Sequence, residues 1–309
     1  MKKLFDDALI TLWFLCFTAG WKLTRKSSPM RMAMARLAVH NIKQPEAAAA
    51  YLNKDEILFD HNIQLDDGTQ TAPAKQLIAD QHWGQATCRL LKSFFPGDRS
   101  KVRIVDIGCL HGGHSVEFAR LGFDAYGLEV RASNIAACES ARKRLPSLPN
   151  LHFIHDDARN IAQHGPFDVT FCAGLLYHLD DPKAYLNLLG SVTGRMMIVT
   201  THYAPESFLR AQRYHLSPMT EHEGLRGRWY PEFPDALGQD TQEQLLWASW
   251  NNSRSFWPTR ESLLQTIYDS GFDVVFEQFD YLENDMVNSM RHGEYSRRAH
   301  GIFVGIKTK

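Results

Sequence analysis

The feature that most constrains this chain is a change of rhythm near residue 102, after which apolar runs alternate with amphipathic ones. Runs with strand character are VRIVDIG (102–108), DAYGLEV (124–130), LHFIHDD (151–157), FDVTFCAG (167–174) and RMMIVTTH (195–202). Between them, residues 114–121, 132–145 and 182–192 carry apolar side chains at helical spacing. Strands with so few polar interruptions are expected to be buried on both faces. The alternation predicts an α/β fold, a doubly wound, mostly parallel sheet with helices on both faces. A helix over 258–271 and two later strand-like runs, FDVVFEQFD and GIFVGIK, bring the expected sheet to seven strands.

Two segments stand outside this pattern. Residues 1–95 read as a helical N-terminal extension with short breaks, ending in a helix over 74–95, and residues 96–309 as the α/β domain. An insert of about 203–257 follows the fifth strand in loop-rich sequence and holds Trp229, Trp247, Trp250 and Trp257, four of the seven tryptophans. Its aromatic side chains are expected to serve as a lid, or to build a small core beneath a long loop.

The net charge of −1 gives no global argument for nucleic-acid binding. Five scattered cysteines without a CxxC pair read as reduced thiols, which places the chain in the cytoplasm. The apolar stretch 8–21 is shorter than the ~20 residues that span a bilayer. Asp6 and Asp7 precede it, where a signal peptide is basic. It is left open as a helix packed on the protein's own body, a homo-oligomer contact, or a peripheral membrane anchor flanked by Lys22, Arg25, Lys26 and Arg31.

The turn DIGCLHGG after the first strand bears on the ligand. In a dinucleotide site the second glycine lets the backbone approach a pyrophosphate, and Leu110 stands there instead. Asp106-Ile-Gly108-Cys109-Leu110-His111-Gly112 resembles the D-x-G-x-G-x-G motif of class I S-adenosylmethionine (SAM) methyltransferases, which have a Rossmann-like fold. The resemblance implies SAM as cofactor, its amine near Asp106 and its carboxylate near backbone N–H groups of the following helix. It further implies that Glu129 accepts the ribose hydroxyls, that Asp157-Ala158 meets the adenine, and that the stretch containing Ala173 lines the site. Each position also has a plain structural reading; Asp181-Pro182, for example, reads as a helix cap with proline at the first turn.

Methyl transfer to an alcohol needs a base working near neutral pH, a role suited to histidine. His178 and His202 follow the fourth and fifth strands at the ligand edge, so both are candidate catalytic bases. Tyr177, Trp229, Tyr230, Trp250, Arg254 and Trp257 are candidate acceptor contacts. No metal is expected, since Asp180 and Asp181 have no obvious third acid. The leading expectation is O-methylation of a small molecule, glycan or lipid-linked acceptor. GLLYHL also resembles enzymes that carboxymethylate a tRNA wobble uridine with carboxy-SAM, whose extra carboxylate would need Arg254 as partner. Nucleic acid is the less favoured partner, and a non-catalytic scaffold is the third alternative.

Overall fold

The computed structural model describes residues 59–233, 245, 247–283 and 285–309. The apolar stretch 8–21 and the helices expected before residue 58 lie outside the described residues. The rhythm read from the sequence is realised as β1 (Arg103–Ile107), β2 (Asp124–Glu129), β3 (Leu151–His155), β4 (Phe167–Ala173) and β5 (Thr193–His202). In chain order the helices are α1 (His82–Phe94), α2 (Gly113–Arg120), α3 (Ala132–Arg142) and α4 (Pro182–Val192).

After β5 come α5 (Phe208–Arg213), β6 (Thr220–His222), β7 (Leu225–Pro231), β8 (Arg254–Pro258) and α6 (Arg260–Asp269). The chain closes with β9 (Val274–Gln278), α7 (Met286–Arg291), α8 (Glu294–Arg297) and β10 (His300–Ile306). The main sheet has seven strands in the order β3-β2-β1-β4-β5-β10-β9. β1 to β5 pair in parallel, and β10 runs antiparallel between β5 and β9. Because β10 is reversed, its first residue, His300, pairs with His202, the last of β5. The start of β10 therefore joins the same sheet edge as the ends of the parallel strands.

The period-two pattern divides the core into two layers. Ile104, Val169, Phe171 and Ile198 pack with Leu91 of α1 and Val116 and Phe118 of α2. Val105, Ile107, Cys172 and Val199 pack on the opposite side with Leu186 and Leu189 of α4 and Leu263 and Ile267 of α6. Helices thus cover both faces, and the strands carry apolar side chains in both directions.

Two expectations are corrected. The helix expected over 74–95 begins only at His82, because residues 59–77 are an irregular segment held by the buried Asn62. Its amide donates to Lys75 O (2.8 Å) and Gln70 Oε1 (2.9 Å) and accepts from Ala72 N–H (3.0 Å), which competes with helix formation. The insert is more ordered than its loop-rich composition suggests. β6, β7 and β8 form an antiparallel three-stranded sheet, with Gly227 facing Pro258 and Trp229 facing Phe256. No helix among the described residues is long and apolar enough to cross a membrane.

Candidate active site

A cavity of about 600 Å3 opens at the edge where β1, β2, β4 and β5 end and β10 begins. Asp106, Gly108, Cys109, Glu129, Asp157, Ala158 and Ala173, all expected around a cofactor, line it. Gly112 does not. Its φ is +73°, and a Cβ there would stand 2.6 Å from Phe153 Cζ, so glycine serves the close packing of α2 on β3.

Leu110 occupies the left-handed region, with φ 54°. That conformation costs a non-glycine residue roughly 1–2 kcal/mol. It is held by a hydrogen bond from Leu110 N–H to Glu129 Oε2 (3.0 Å) and by burial of the leucine side chain. Glu129 also accepts from Arg131 N–H through Oε1 (2.9 Å). Each carboxylate oxygen retains acceptor capacity toward the cavity, and the two backbone bonds fix its orientation. Burial raises the Glu129 pKa, opposed by the Arg131 and Leu110 N–H bonds and the Arg131 charge.

Asp106 receives Ser115 N–H (3.1 Å) and Ser115 Oγ–H (2.8 Å) on Oδ2. Burial pushes its carboxyl up to about 7 against the pull of those two bonds. The start of α2 is less open than the motif suggested. Ser115 N–H is used by Asp106, and Gly113 N–H donates to Nδ1 of His61 (3.0 Å). His111 Nδ1 likewise accepts from Asp60 N–H (2.9 Å), and burial lowers its pKa to about 4. His61, His111 and His114 therefore form a neutral imidazole cluster beneath segment 59–83, with Trp83 packed 4.1 Å from the His114 ring. Sequence reasoning missed this cluster, since His61 meets the turn only through tertiary folding.

Asp157 accepts from Arg159 N–H (2.9 Å), capping the 3-10 turn Ala158–Gln163 while still lining the cavity. Asp180 and Asp181 both pair with Arg159, at 2.8 and 3.0 Å. Asp181 makes no side-chain cap bond; Glu223, from the turn between β6 and β7, accepts the Lys183 and Ala184 N–H groups instead. No group of three His, Cys, Asp or Glu able to hold a metal is found among the described residues.

The two histidines separate. His178 lines the cavity, and its Nδ1 pairs with Glu232 Oε1 at 2.8 Å. The Glu232 carboxylate, 1% exposed, also accepts Ser255 Oγ–H (2.6 Å) and Ser249 N–H (3.1 Å). A carboxylate on Nδ1 keeps the proton there, so Nε2 is the lone-pair nitrogen. The backbone beneath it is clamped by the insert. Tyr177 O accepts Trp257 Nε1–H, His178 O accepts Asn252 Nδ2–H, and Leu179 O accepts Phe256 N–H, each at 2.9 Å. His202 is not among the lining residues. Its Nδ1 donates to Ala299 O (2.8 Å), and its ring stacks on Trp257 at 4.9 Å and 7°.

The expected acceptor contacts also divide. Tyr177 and Trp250 line the cavity, as does Trp247. Trp257 is buried in the small core under the insert, with Tyr230 stacked on it at 5.1 Å. Trp229 packs on Phe256, and Arg254 lies over its ring at 4.1 Å, away from the cavity. The alternation of strand β7 explains this sorting, because Trp229 and Tyr230 must point to opposite faces.

Against known proteins, residues 104–193 match the family model described as a methyltransferase domain. Curated relatives include ubiquinone biosynthesis O-methyltransferases. That of Psychrobacter cryohalolentis is 28% identical over 114 residues, covering 35% of this chain and 44% of the relative. That of Cereibacter sphaeroides is 31% identical, covering 36% of this chain and 45% of the relative. The chain thus spans less than half the length of the curated relatives it matches. Among solved structures, the N-terminal domain of EvdMO1, crystallised with S-adenosylhomocysteine and D-fucose present, superposes with a TM-score of 0.57. It is 21% identical, and the match covers 86% of this chain and 98% of that one, a likeness in fold. Family match, strand order and the acidic cavity edge agree, and residues 104–193 belong to a class I SAM-dependent methyltransferase domain.

Proposed function

We propose that this protein transfers a methyl group from SAM to an oxygen of a small-molecule acceptor, with His178 as general base. The observation that carries this reading is that His178, held from behind by Glu232, lines the same cavity as Asp106, Glu129 and Asp157. The chemistry of the lining supports the cofactor. Three carboxylates line the cavity, acceptors suited to an amine, two ribose hydroxyls and an adenine amino group, beside the apolar wall of Ala158 and Leu179. When bound, SAM supplies an electrophilic methyl on a sulfonium. Glu129 holds hydroxyls in a fixed direction, and Asp106 meets a cation.

The matched relatives are named for O-methylation, which supports oxygen as the accepting atom. His178 Nε2 accepts the acceptor's hydroxyl proton as the oxygen attacks, and Glu232 stabilises the resulting imidazolium through Nδ1–H. Trp247 and Trp250 act as the lid, keeping water from the reacting atoms. His202 serves as a support for Tyr177 and Trp257, with ring distances of 4.7 and 4.9 Å.

Calorimetric titration with SAM, S-adenosylhomocysteine and NAD tests the cofactor. Saturable adenosyl-ligand binding, no response to NAD, and a loss of about 100-fold or more in Glu129→Ala are expected, since two charged hydrogen bonds of ~1.5–3 kcal/mol each are removed. A folded protein that ignores both adenosyl ligands would overturn the proposal.

A further inference from the structure

The charges lining the cavity are unevenly divided along the sheet edge. Asp106, Glu129 and Asp157, its lining carboxylates, follow β1, β2 and β3 on one side. Of the lining arginines, Arg131 donates to Leu245 O and Ala248 O, and Arg159 is paired with Asp180 and Asp181. Arg298 stands on the opposite side, two residues before β10, and its guanidinium has no hydrogen bond or ion pair among the described residues. It shares this side with Tyr177, His178, Thr200 and His300.

Its backbone is held in place. Arg298 O accepts Tyr203 Oη–H and His300 O accepts Tyr281 Oη–H, both at 3.0 Å. Nearby groups add no competing charge to the main cavity. Burial lowers the His300 pKa to about 3, with His202 and Arg298 adding to the effect, so that ring is neutral. A smaller cavity of about 310 Å3 adjoins at Arg298, and its acid, Glu283, accepts from Asn288 (3.4 Å) and Ser289 without pairing with Arg298. Thr200 Oγ1 is buried on the cavity wall without a partner.

We propose that Arg298 anchors an anionic acceptor, pairing with a carboxylate or phosphate while the acceptor's hydroxyl faces His178. A planar guanidinium with a fixed backbone and open N–H groups suits either oxyanion. The proposal rests on the methyltransferase reading and names its substrate class. It also replaces Arg254, which stacks on Trp229, as the cation available to an anionic group.

The test titrates protein loaded with S-adenosylhomocysteine with inorganic phosphate and, separately, benzoate, following the guanidinium Cζ resonances of all arginines. Arg298 is assigned from its loss in Arg298→Gln, and exposed Arg254 serves as the internal reference. The expected result is saturable titration of Arg298 by at least one anion, at least tenfold tighter than at Arg254. S-adenosylhomocysteine affinity should be unchanged within threefold in Arg298→Gln. Titration no tighter than at Arg254 overturns the proposal. So does a tenfold loss of S-adenosylhomocysteine affinity in Arg298→Gln, which would assign the guanidinium to the cofactor's own carboxylate. Failure of wild-type protein to bind S-adenosylhomocysteine is a separate outcome, which overturns the methyltransferase reading and this proposal with it.

Discussion

Replacing Glu232 by glutamine tests the proposed catalytic pair, because the amide can satisfy all three of its neighbours only if their protons rearrange. Glu232 Oε1 meets His178 Nδ1 and Ser255 Oγ, and Oε2 meets Ser249 N–H. If the amide oxygen stays near His178, its NH2 group opposes the backbone donor of Ser249, a buried donor–donor contact. If the amide turns, its oxygen accepts Ser249 N–H and its NH2 faces His178 and Ser255. A serine hydroxyl can rotate to accept, whereas Ser249 N–H is fixed, so the turned amide is the lower-energy arrangement. His178 Nδ1 then becomes an acceptor, and its proton moves to Nε2, the nitrogen that must act as base. Losing a positioned base lowers rate by about 10²- to 10⁴-fold, or about 2.7–5.5 kcal/mol of transition-state stabilisation. Exchanging hydrogen bonds to a carboxylate for neutral ones also costs stability, about 1–3 kcal/mol. The assay pairs single-turnover methyl transfer at saturating SAM with nitrogen-15 spectra of the His178 tautomer. We expect an Nδ1–H tautomer in the wild type, Nε2–H in Glu232→Gln, and S-adenosylhomocysteine affinity within threefold of wild type. A folded variant with a transfer rate within threefold of wild type refutes the reasoning, as does an Nε2–H tautomer in the wild type.

Three further outcomes follow from the glycine turn. The Asp106 carboxyl is pushed up to about 7, so it is partly protonated near neutrality when the cavity holds no cation. A cationic amine favours the ionised form, so S-adenosylhomocysteine affinity should rise by up to tenfold per pH unit between pH 5.5 and 7 and level off above. Calorimetry across that range would show a flat profile if Asp106 does not meet the amine. For folding the sign is opposite. The folded pKa lies above the unfolded value of ~3.9, so this group's contribution to stability is present below that value and lost as pH rises through about 7. Gly112→Ala combines a positive φ with a Cβ 2.6 Å from Phe153 Cζ. Strain of ~1–2 kcal/mol and overpacking of ~1–3 kcal/mol predict a loss of about 2–5 kcal/mol in urea unfolding. Adding Phe153→Leu should recover part of it, and a loss below about 1 kcal/mol would contradict the close approach.

The sequence by itself determined the α/β frame. Alternating apolar periods located the five parallel strands, and Pro182 set the first turn of α4, because these signals depend on neighbours within a few residues. The same local grammar put Asp106, Glu129 and Asp157 at strand ends, and parallel pairing then brought those ends to one edge. Tertiary structure decided which side chains met. Glu232 reaches His178 across 54 residues only when β7 lies in its register against β8. His202, equal to His178 by sequence position, is drawn behind Trp257 by its bond to Ala299 O. Trp250 and Trp257 both looked like lid residues, yet one lines the cavity and the other fills a core, because composition does not encode strand register. Arg298 gave no sequence signal at all. Its place opposite the carboxylates comes from the reversal of β10, which carries the chain's last strand back to the edge where the parallel strands end.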